Sequence, residues 1–285
     1  MLSRNSLAAA ALGAALCLAV GGARAFDDAM YPDLKGQWIR VSPPGQPAFD
    51  PSKPRGRAQE APLTPEYQAV FEANLAELRA GGEGPWSGYD CTPPGMPPMM
   101  TAYEPLEIIV LPEMTYILID HIHDSHRRIY TDGRNWPAEA EPTYVGYSIG
   151  RWLDENGDGR YDVLEIETRH IKGPGGAYDA SGVPLHRDEN TVVKERIYLN
   201  KDNPNLLHDQ ITVIDSSLTR PWTVTKTYRR NPSARPEWQE YVCTESNNHV
   251  RVGKESYFLS ADGYLMPAKK DQPPPDLRYF NRTKK

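Results

Sequence analysis

A twelve-residue stretch from residue 154 to residue 165, DENGDGRYDVLE, has the spacing of a calcium-binding loop. Oxygen-bearing side chains stand at loop positions 1, 3, 5, 9 and 12, and a glycine stands at position 6. Calcium is a hard cation that prefers oxygen ligands, and this spacing curls the oxygens around one point. The pattern predicts a calcium site made by Asp154, Asn156, Asp158, the Arg160 carbonyl, Asp162 and, at the last position, Glu165.

The residues on both sides of this loop alternate as they do in strands, so the loop is not predicted to be an EF-hand. After the loop, Leu164, Ile166 and Thr168 alternate with two glutamates. A strand need not turn Glu165 back towards the ion, and the other five ligands are therefore the better candidates for a structural site. The alternative is an acidic hairpin without a metal, because Asp, Asn and Gly are also common in ordinary turns.

Three histidines follow one another closely in the stretch DHIHDSH, residues 120–126. Strand alternation places His121 and His123 on one face, a spacing that suits zinc or copper and also suits an acid–base pair. Asp120 or Asp124 would orient an imidazole, and His126 would lie in the following turn. The cluster therefore supports acid–base catalysis, while its alternative is a set of solvated histidines at the end of a hairpin.

A third group surrounds Asp132-Gly133, a pair that is typical of a β-hairpin turn. One interpretation places Arg128 and Tyr130 inside a barrel, where polar side chains often hold a ligand. The other interpretation has Asp132 fix the turn while the arginines pair with glutamates on neighbouring strands. Under the first interpretation, the predicted ligand-binding residues are Arg128, Tyr130, Arg134, Arg196, Tyr198 and Trp222.

Residues 1–25 have the features of a secretory signal peptide, with Arg4, an apolar run and a small-x-small cleavage site at 23–25. We therefore expect a periplasmic or secreted protein. No later run approaches the roughly 20 apolar residues that span a bilayer, so no membrane insertion is predicted. The formal charge is -6. Removal of the signal with its two arginines leaves about -8, which disfavours nucleic acid and anionic membranes as partners.

Cys91 and Cys243 are the two cysteines that remain after removal of the signal. Disulfides persist in an oxidising compartment, and one bridge between these two residues is therefore predicted. The alternative is a free catalytic thiol.

The rest of the chain supplies the elements that position these residues. A single helix is predicted, with Thr64 as its N-cap, Pro65 at its first position and Gly81 beyond its end. A first strand contains Gly36-x-Trp38, and β-branched and aromatic runs predict eight further strands and a weaker ninth. These lie near 106–111, 114–122, 127–131, 143–152, 161–169, 191–199, 207–215 and 221–230, with the weaker one near 238–243.

Short connections between most of these strands predict a mainly β fold, an antiparallel meander that closes into a barrel and so removes exposed edges. The predicted organisation is a segment with the first strand, a Pro-rich arm and the helix at 26–104, a barrel at 105–265 and a Pro-rich tail at 266–285. The polar segment 170–190 is expected to cross one barrel mouth.

Five short runs of the chain are RRIYTDGR at 127–134, GYSIGRW at 146–152, Glu167-Thr168, Glu195-Arg196 and TRPWT at 219–223. With these runs the chain resembles a large group of secreted bacterial proteins, mostly from proteobacteria and acidobacteria. The resemblance covers most of residues 91–280 and implies a lipocalin-like (calycin-like) barrel but no particular activity. Many of those proteins have a short turn where this chain has the 154–165 loop, so the calcium prediction rests on this sequence alone.

Together these patterns predict an exported barrel protein that binds a small organic ligand in its cavity, with a calcium-stabilised hairpin. The first alternative is a cofactor-free lyase, isomerase or hydrolase that uses the histidine cluster, and the second is a structural envelope protein. The sequence has no Gly-x-Ser-x-Gly elbow, phosphate loop or dinucleotide fingerprint, so no nucleotide cofactor is expected. The oligomeric state is left open.

Overall fold

The computed structural model describes the greater part of the chain. The described residues are 27–41, 61–80, 91, 93–101, 104–119, 125–172, 190–239, 242–243, 248–252 and 255–276. The predicted signal peptide at 1–25, most of the arm at 42–60, most of the polar segment at 173–189 and the last residues of the tail at 277–285 lie outside them.

Nine strands form one closed barrel in which each strand pairs with its neighbour in the chain and the last strand pairs with the first. This confirms the predicted mainly β fold with a closed barrel. The strands are β1 Gln37–Arg40, β2 Leu106–Val110, β3 Met114–Ile119, β4 Ser125–Tyr130, β5 Tyr147–Leu153, β6 Val163–Arg169, β7 Val192–Leu199, β8 Leu206–Ile214 and β9 Trp222–Arg230.

One pair of strands departs from the predicted antiparallel meander. β4 and β5 run parallel, with Ile129 opposite Ser148. Parallel neighbours need a long connection, and residues 131–146 provide it. The prediction of a hairpin at Asp132-Gly133 was therefore wrong, because the chain continues past this turn and returns along the outer face before it starts β5.

The predicted Gly-x-Trp strand closes part of the core. Trp38 is fully buried, and its indole nitrogen donates to the Leu34 carbonyl at 3.0 Å. The guanidinium of Arg230 lies 4.3 Å from the Trp38 ring centroid. β1 thus joins the barrel although the Pro-rich arm and the helix separate it from β2 in the chain, and it supplies the strand that closes the sheet.

The helix α1, Pro65–Arg79, begins where the sequence predicts. The Tyr67 amide lies 3.5 Å from the Thr64 hydroxyl, and the Thr64 amide donates to the Ser217 carbonyl at 2.8 Å. Phe71 is buried. The helix therefore packs by its first turns against the connection between β8 and β9.

A second sheet follows the barrel and was not predicted. It contains β10 His249–Val252, β11 Glu255–Leu259 and β12 Leu265–Pro267 in that order. The barrel therefore ends at Arg230 rather than at residue 265, and the predicted tail begins inside a strand. Pro267 obscures this strand in the sequence, since proline is tolerated only at strand edges. The described residues within 238–243 do not form a strand.

Among the residues that the structure describes, no helix has the length and apolar character needed to cross a membrane.

Candidate functional site

The inner surface of the barrel carries a group of charged and polar side chains that are all buried. On β8, Asp209 has the same orientation as Leu207 and Ile211, its neighbours two residues away on either side. The same alternation turns Arg127 inward on β4 and Glu195 inward on β7. We define the interior polar cluster as Arg40, Arg127, Ser148, Thr168, Glu195, Asp209, Lys226 and Tyr228, each at most 7% exposed.

Arg127 and Glu195 form the best-ordered part of this cluster. The Arg127 guanidinium donates to both Glu195 carboxylate oxygens, at 2.8 and 2.5 Å. It also donates to the Ser148 hydroxyl at 3.0 Å and to the Thr168 hydroxyl at 2.6 Å. The two hydroxyls lie 2.8 Å apart. A buried bidentate ion pair with two further hydrogen bonds to hydroxyl acceptors is rigid and holds the Glu195 carboxylate in one orientation.

Asp209 differs from Glu195, the other buried carboxylate of the cluster. Its side chain is fully buried, yet neither carboxyl oxygen has a hydrogen-bond partner among the described residues. Lys226 stands directly opposite on β9. Burial, and then the nearby charge of Glu195, raise the pKa of the Asp209 carboxyl well above its ordinary value, while Arg127 and Lys226 act in the opposite direction. Buried polar atoms are nearly always satisfied by protein, water or ligand, so the Asp209 carboxyl is the candidate position for a further polar contact.

Tyr228 connects Asp209 to the segment that covers the cluster. It stands opposite both Leu207 and Arg40. Burial and the neighbouring Asp209 charge raise the pKa of its phenol well above the ordinary value. The hydroxyl donates to the main-chain carbonyl of Met100. Tyr228 therefore links the polar interior to residues 93–101, which lie ahead of β2.

The structure corrects most of the predicted ligand-binding set. Arg128 is exposed and lies on the outer face with its guanidinium 5.9 Å from the Tyr116 ring centroid. Tyr130 shares that face and stacks on Tyr147. The prediction chose the wrong side of β4, because RRIY contains two adjacent arginines and only the first alternates with the apolar Ile129.

Arg196 and Tyr198 are also on the outer face, since the inward positions of β7 are Val193, Glu195 and Ile197. Tyr198 packs beside the His208 ring at a centroid distance of 5.4 Å. Of the six predicted residues, Trp222 points into the barrel and is buried in its core.

Arg134 lies beside a groove of about 620 Å³ on the outer face of β5 to β8. Its guanidinium lies 3.8 Å from the Tyr130 ring centroid and makes a forked contact with Asp132, which lowers the pKa of that carboxyl to about 2. Farther along the groove, Arg151 pairs with Glu165 at 2.5 Å. The charged groups of this groove are thus countered by their neighbours.

Of the five predicted catalytic residues, one lies within the described part of the chain, namely His126. Asp120, His121, His123 and Asp124 lie outside the described residues. His126 is exposed on the outer face of β4 rather than in a turn. It is therefore not in contact with the interior polar cluster.

The acidic loop is a compact turn that satisfies its own backbone. The Asp154 carboxylate accepts three main-chain amides, from Gly157 at 2.7 Å, Asp158 at 3.2 Å and Gly159 at 2.9 Å. Asp158 accepts the Arg160 amide at 2.9 Å. Such bonds are usual in Asp- and Asn-rich turns.

Asn156 and Asp162 take part in the same way. The Asn156 side-chain oxygen accepts the Asp158 amide, and Asp162 accepts the Glu155 amide, both at 2.9 Å. Glu165 is not part of this loop, because it lies on the outer face of β6 between Arg151 and Arg196. Its assignment as a ligand is corrected. Within the described part of the chain, no group of three or more His, Cys, Asp or Glu side chains is arranged to hold a metal ion.

The predicted disulfide is confirmed. Cys91 and Cys243 are bonded across a sequence separation of 152 residues. The bridge ties the residues before β2 to the residues after β9, next to the segment that carries Met100.

Asp209, Lys226, Arg127 and Glu195 were missed as site residues, although a usable signal was present. In the run LLHDQITVI, Asp209 shares its alternation with Leu207, Ile211 and Val213. A charged residue at the apolar positions of a strand indicates an inward charge. This alternation was used to identify strands but not to identify which polar residues enter the core.

Comparison with known protein families, with curated proteins and with solved structures finds no match to this chain.

Proposed function

We propose that this chain is an exported barrel protein that binds a small organic ligand at its interior polar cluster, with a hydrogen bond from the ligand to Asp209. The observation that carries the proposal is the Asp209 carboxyl, fully buried and without a hydrogen-bond partner among the described residues. An unsatisfied buried acceptor costs about 1–3 kcal/mol, and a ligand donor would recover that free energy.

The ligand must be small because the members of the cluster are almost completely enclosed. Arg127, Glu195 and Asp209 are each 1% exposed or less. Only a molecule taken inside the barrel could contact them, and a polymer or a folded partner could not.

The interior also supplies the rigidity that selective binding requires. The hydrogen bonds of Arg127 to Glu195 and to the two hydroxyls hold the charges of this ion pair in fixed positions near Asp209. Preorganised polar groups give a ligand its orientation at low entropic cost. The outer groove supports binding less strongly, since its ion pairs, such as Arg196–Glu155 at 2.6 Å, are already formed.

The proposal is tested by native mass spectrometry of the protein purified from its own host. We expect a non-covalent adduct of small mass on the wild-type protein and at least a tenfold lower adduct fraction on Asp209→Val. Gln210→Val is the matched control, because Gln210 is the next residue on β8 but points outward. Equal adduct fractions on wild type and Asp209→Val would contradict the proposal, as would a wild-type protein without any adduct.

A further inference from the structure

Residues 93–101, which we call the methionine segment, place three methionines inside the barrel core. Met96, Met99 and Met100 are 1%, 0% and 1% exposed. They belong to the same buried cluster as Trp38 and Ile117, which line the barrel from within. The methionine segment is not a strand of the barrel, yet its side chains fill part of the interior.

The methionine segment has a conformation of its own and is held at the barrel by main-chain groups. The Met99 amide donates to the Gly95 carbonyl at 2.8 Å, which closes a turn within the segment. The Met96 amide donates to the Tyr144 carbonyl at 2.8 Å, just ahead of β5. At its other end, the Met100 carbonyl accepts the Tyr228 hydroxyl.

These contacts are of the kinds that a ligand would make in the same place. Methionine side chains are unbranched and polarisable, and they adapt their shape to irregular apolar partners. The Met100 carbonyl accepts the hydrogen bond of the Tyr228 hydroxyl. Tyr228 stands opposite Leu207, which lies two residues before Asp209 on the same inner face of β8. The methionine segment therefore supplies apolar contacts and one polar contact on the inner face that also carries the unsatisfied carboxyl.

The lining of the barrel around the cluster is aliphatic. Ile197 stands opposite Asp209 on β7, and Ile211 follows it two residues later on the same face. A molecule that reaches Asp209 with a polar group must therefore place the rest of its body against isoleucines and methionines. Burial of each additional methylene there favours binding by about 0.8 kcal/mol.

We propose that the methionine segment is a built-in occupant of the interior site, which is displaced by an amphipathic ligand with a hydrogen-bond-donating head and a hydrocarbon body. The head donates to Asp209, and the body takes the place of the Met99 and Met100 side chains. This inference rests on the proposed ligand-binding function and specifies the class of its ligand. The Cys91–Cys243 bridge, two residues ahead of the segment, keeps the displaced segment at the barrel mouth.

The test is oxidation of the methionines by hydrogen peroxide in the intact, disulfide-bonded protein, followed by mass spectrometry of each site. Octanamide is the probe, because it joins an amide donor to a hydrocarbon chain. Acetamide has the same head without the chain, and methyl octanoate has the chain without a donor. Met266, 43% exposed on β12, is the internal reference for the oxidation rate.

We expect octanamide to raise the oxidation rates of Met99 and Met100 at least fivefold relative to Met266, while acetamide and methyl octanoate leave them unchanged. The octanamide effect should disappear in Asp209→Val and persist in Gln210→Val. The inference is overturned if octanamide does not bind, or if it binds while Met99 and Met100 stay protected. In either case a host-derived adduct that depends on Asp209 would leave the proposed function standing.

Discussion

The acidic loop at 154–162 and the interior around Asp209 are two carboxylate sites of opposite character. The loop has its acidic residues within a few positions of one another, with Asp154, Glu155 and Asp158 exposed and Asp162 half-buried, and the Asp154 oxygens accept main-chain amides. Asp209 is the single acidic residue of its strand, fully buried and without a hydrogen-bond partner among the described residues. The acidic loop forms hydrogen bonds within itself, whereas both carboxyl oxygens of Asp209 lack a hydrogen-bond partner among the described residues.

This difference shows that closely spaced acidic residues do not by themselves indicate a carboxylate that lacks hydrogen-bond partners. Neighbouring residues in a turn can always reach each other's amides, so a rich local pattern tends to satisfy itself. A single charge on the inner face of a strand depends on groups brought by distant strands, and any shortfall remains as an unsatisfied atom. The site is therefore better sought where alternation turns a lone charge inward.

The largest difference in stability between substitutions on the inner and the outer face of the barrel is expected at the adjacent residues Arg127 and Arg128. Arg127→Met leaves Glu195 buried without its partner and should lower the free energy of unfolding by about 3–5 kcal/mol. Arg128→Met removes an exposed guanidinium on the outer face and should change it by no more than about 0.5 kcal/mol. Urea denaturation of both variants measures the difference.

The comparison between the faces fails if Arg128→Met destabilises the protein as much as Arg127→Met does. Glu195→Gln is the second check, because it keeps the shape of the side chain while it removes the negative charge. It should destabilise the protein in the same direction as Arg127→Met.

An intermediate effect is expected from the titration of Asp209. Its pKa is raised in the folded protein, so above about pH 3.9 the unfolded chain has released a proton that the folded chain still holds. The contribution of Asp209 to the free energy of unfolding is therefore present at acid pH, and it is lost as the pH rises towards the pKa of this carboxyl in the folded protein. In ligand-free protein, Asp209→Asn should abolish this loss of stability. The substitution should raise the free energy of unfolding by on the order of 1 kcal/mol at pH 7 and should not raise it near pH 4.

Thermal unfolding of wild type and Asp209→Asn between pH 4 and pH 8 provides the measurement. A constant difference across that range would show that the Asp209 carboxyl does not change its protonation between the folded and unfolded states. Asp158→Asn in the exposed acidic loop is the matched control for the same change of side chain outside the barrel.

The smallest effect concerns the calcium prediction for the loop. Asp154, Asp158 and Asp162 would have to share their amide-bound oxygens with the ion, so we expect weak binding of the kind found in extracellular modules. Calcium at a few times its dissociation constant should then raise the free energy of unfolding by about 1 kcal/mol, and EDTA should reverse the rise. A melting temperature that calcium leaves unchanged would identify the loop as a turn only.

Much of this architecture could be predicted from local sequence. The strands β2 to β9 and the start of α1 at Pro65 follow from alternation and capping, which act between residues close in the chain. The disulfide was predicted from the two cysteines outside the predicted signal peptide and from the predicted oxidising compartment, and the bond itself is confirmed. β12 escaped prediction because three residues ending in proline carry almost no local signal.

The sequence by itself thus determined which segments become the barrel strands, and the alternation within β8 and β7 places Asp209 and Glu195 on the apolar side of those strands. Only the tertiary structure decided which charges meet. Barrel closure brings Arg127 to Glu195 across 68 residues and sets the methionine segment against Tyr228 across 128. Barrel closure also buries Asp209, and its carboxyl oxygens have no hydrogen-bond partner among the described residues. These outcomes depend on strand register around a closed sheet, which no stretch of local sequence encodes.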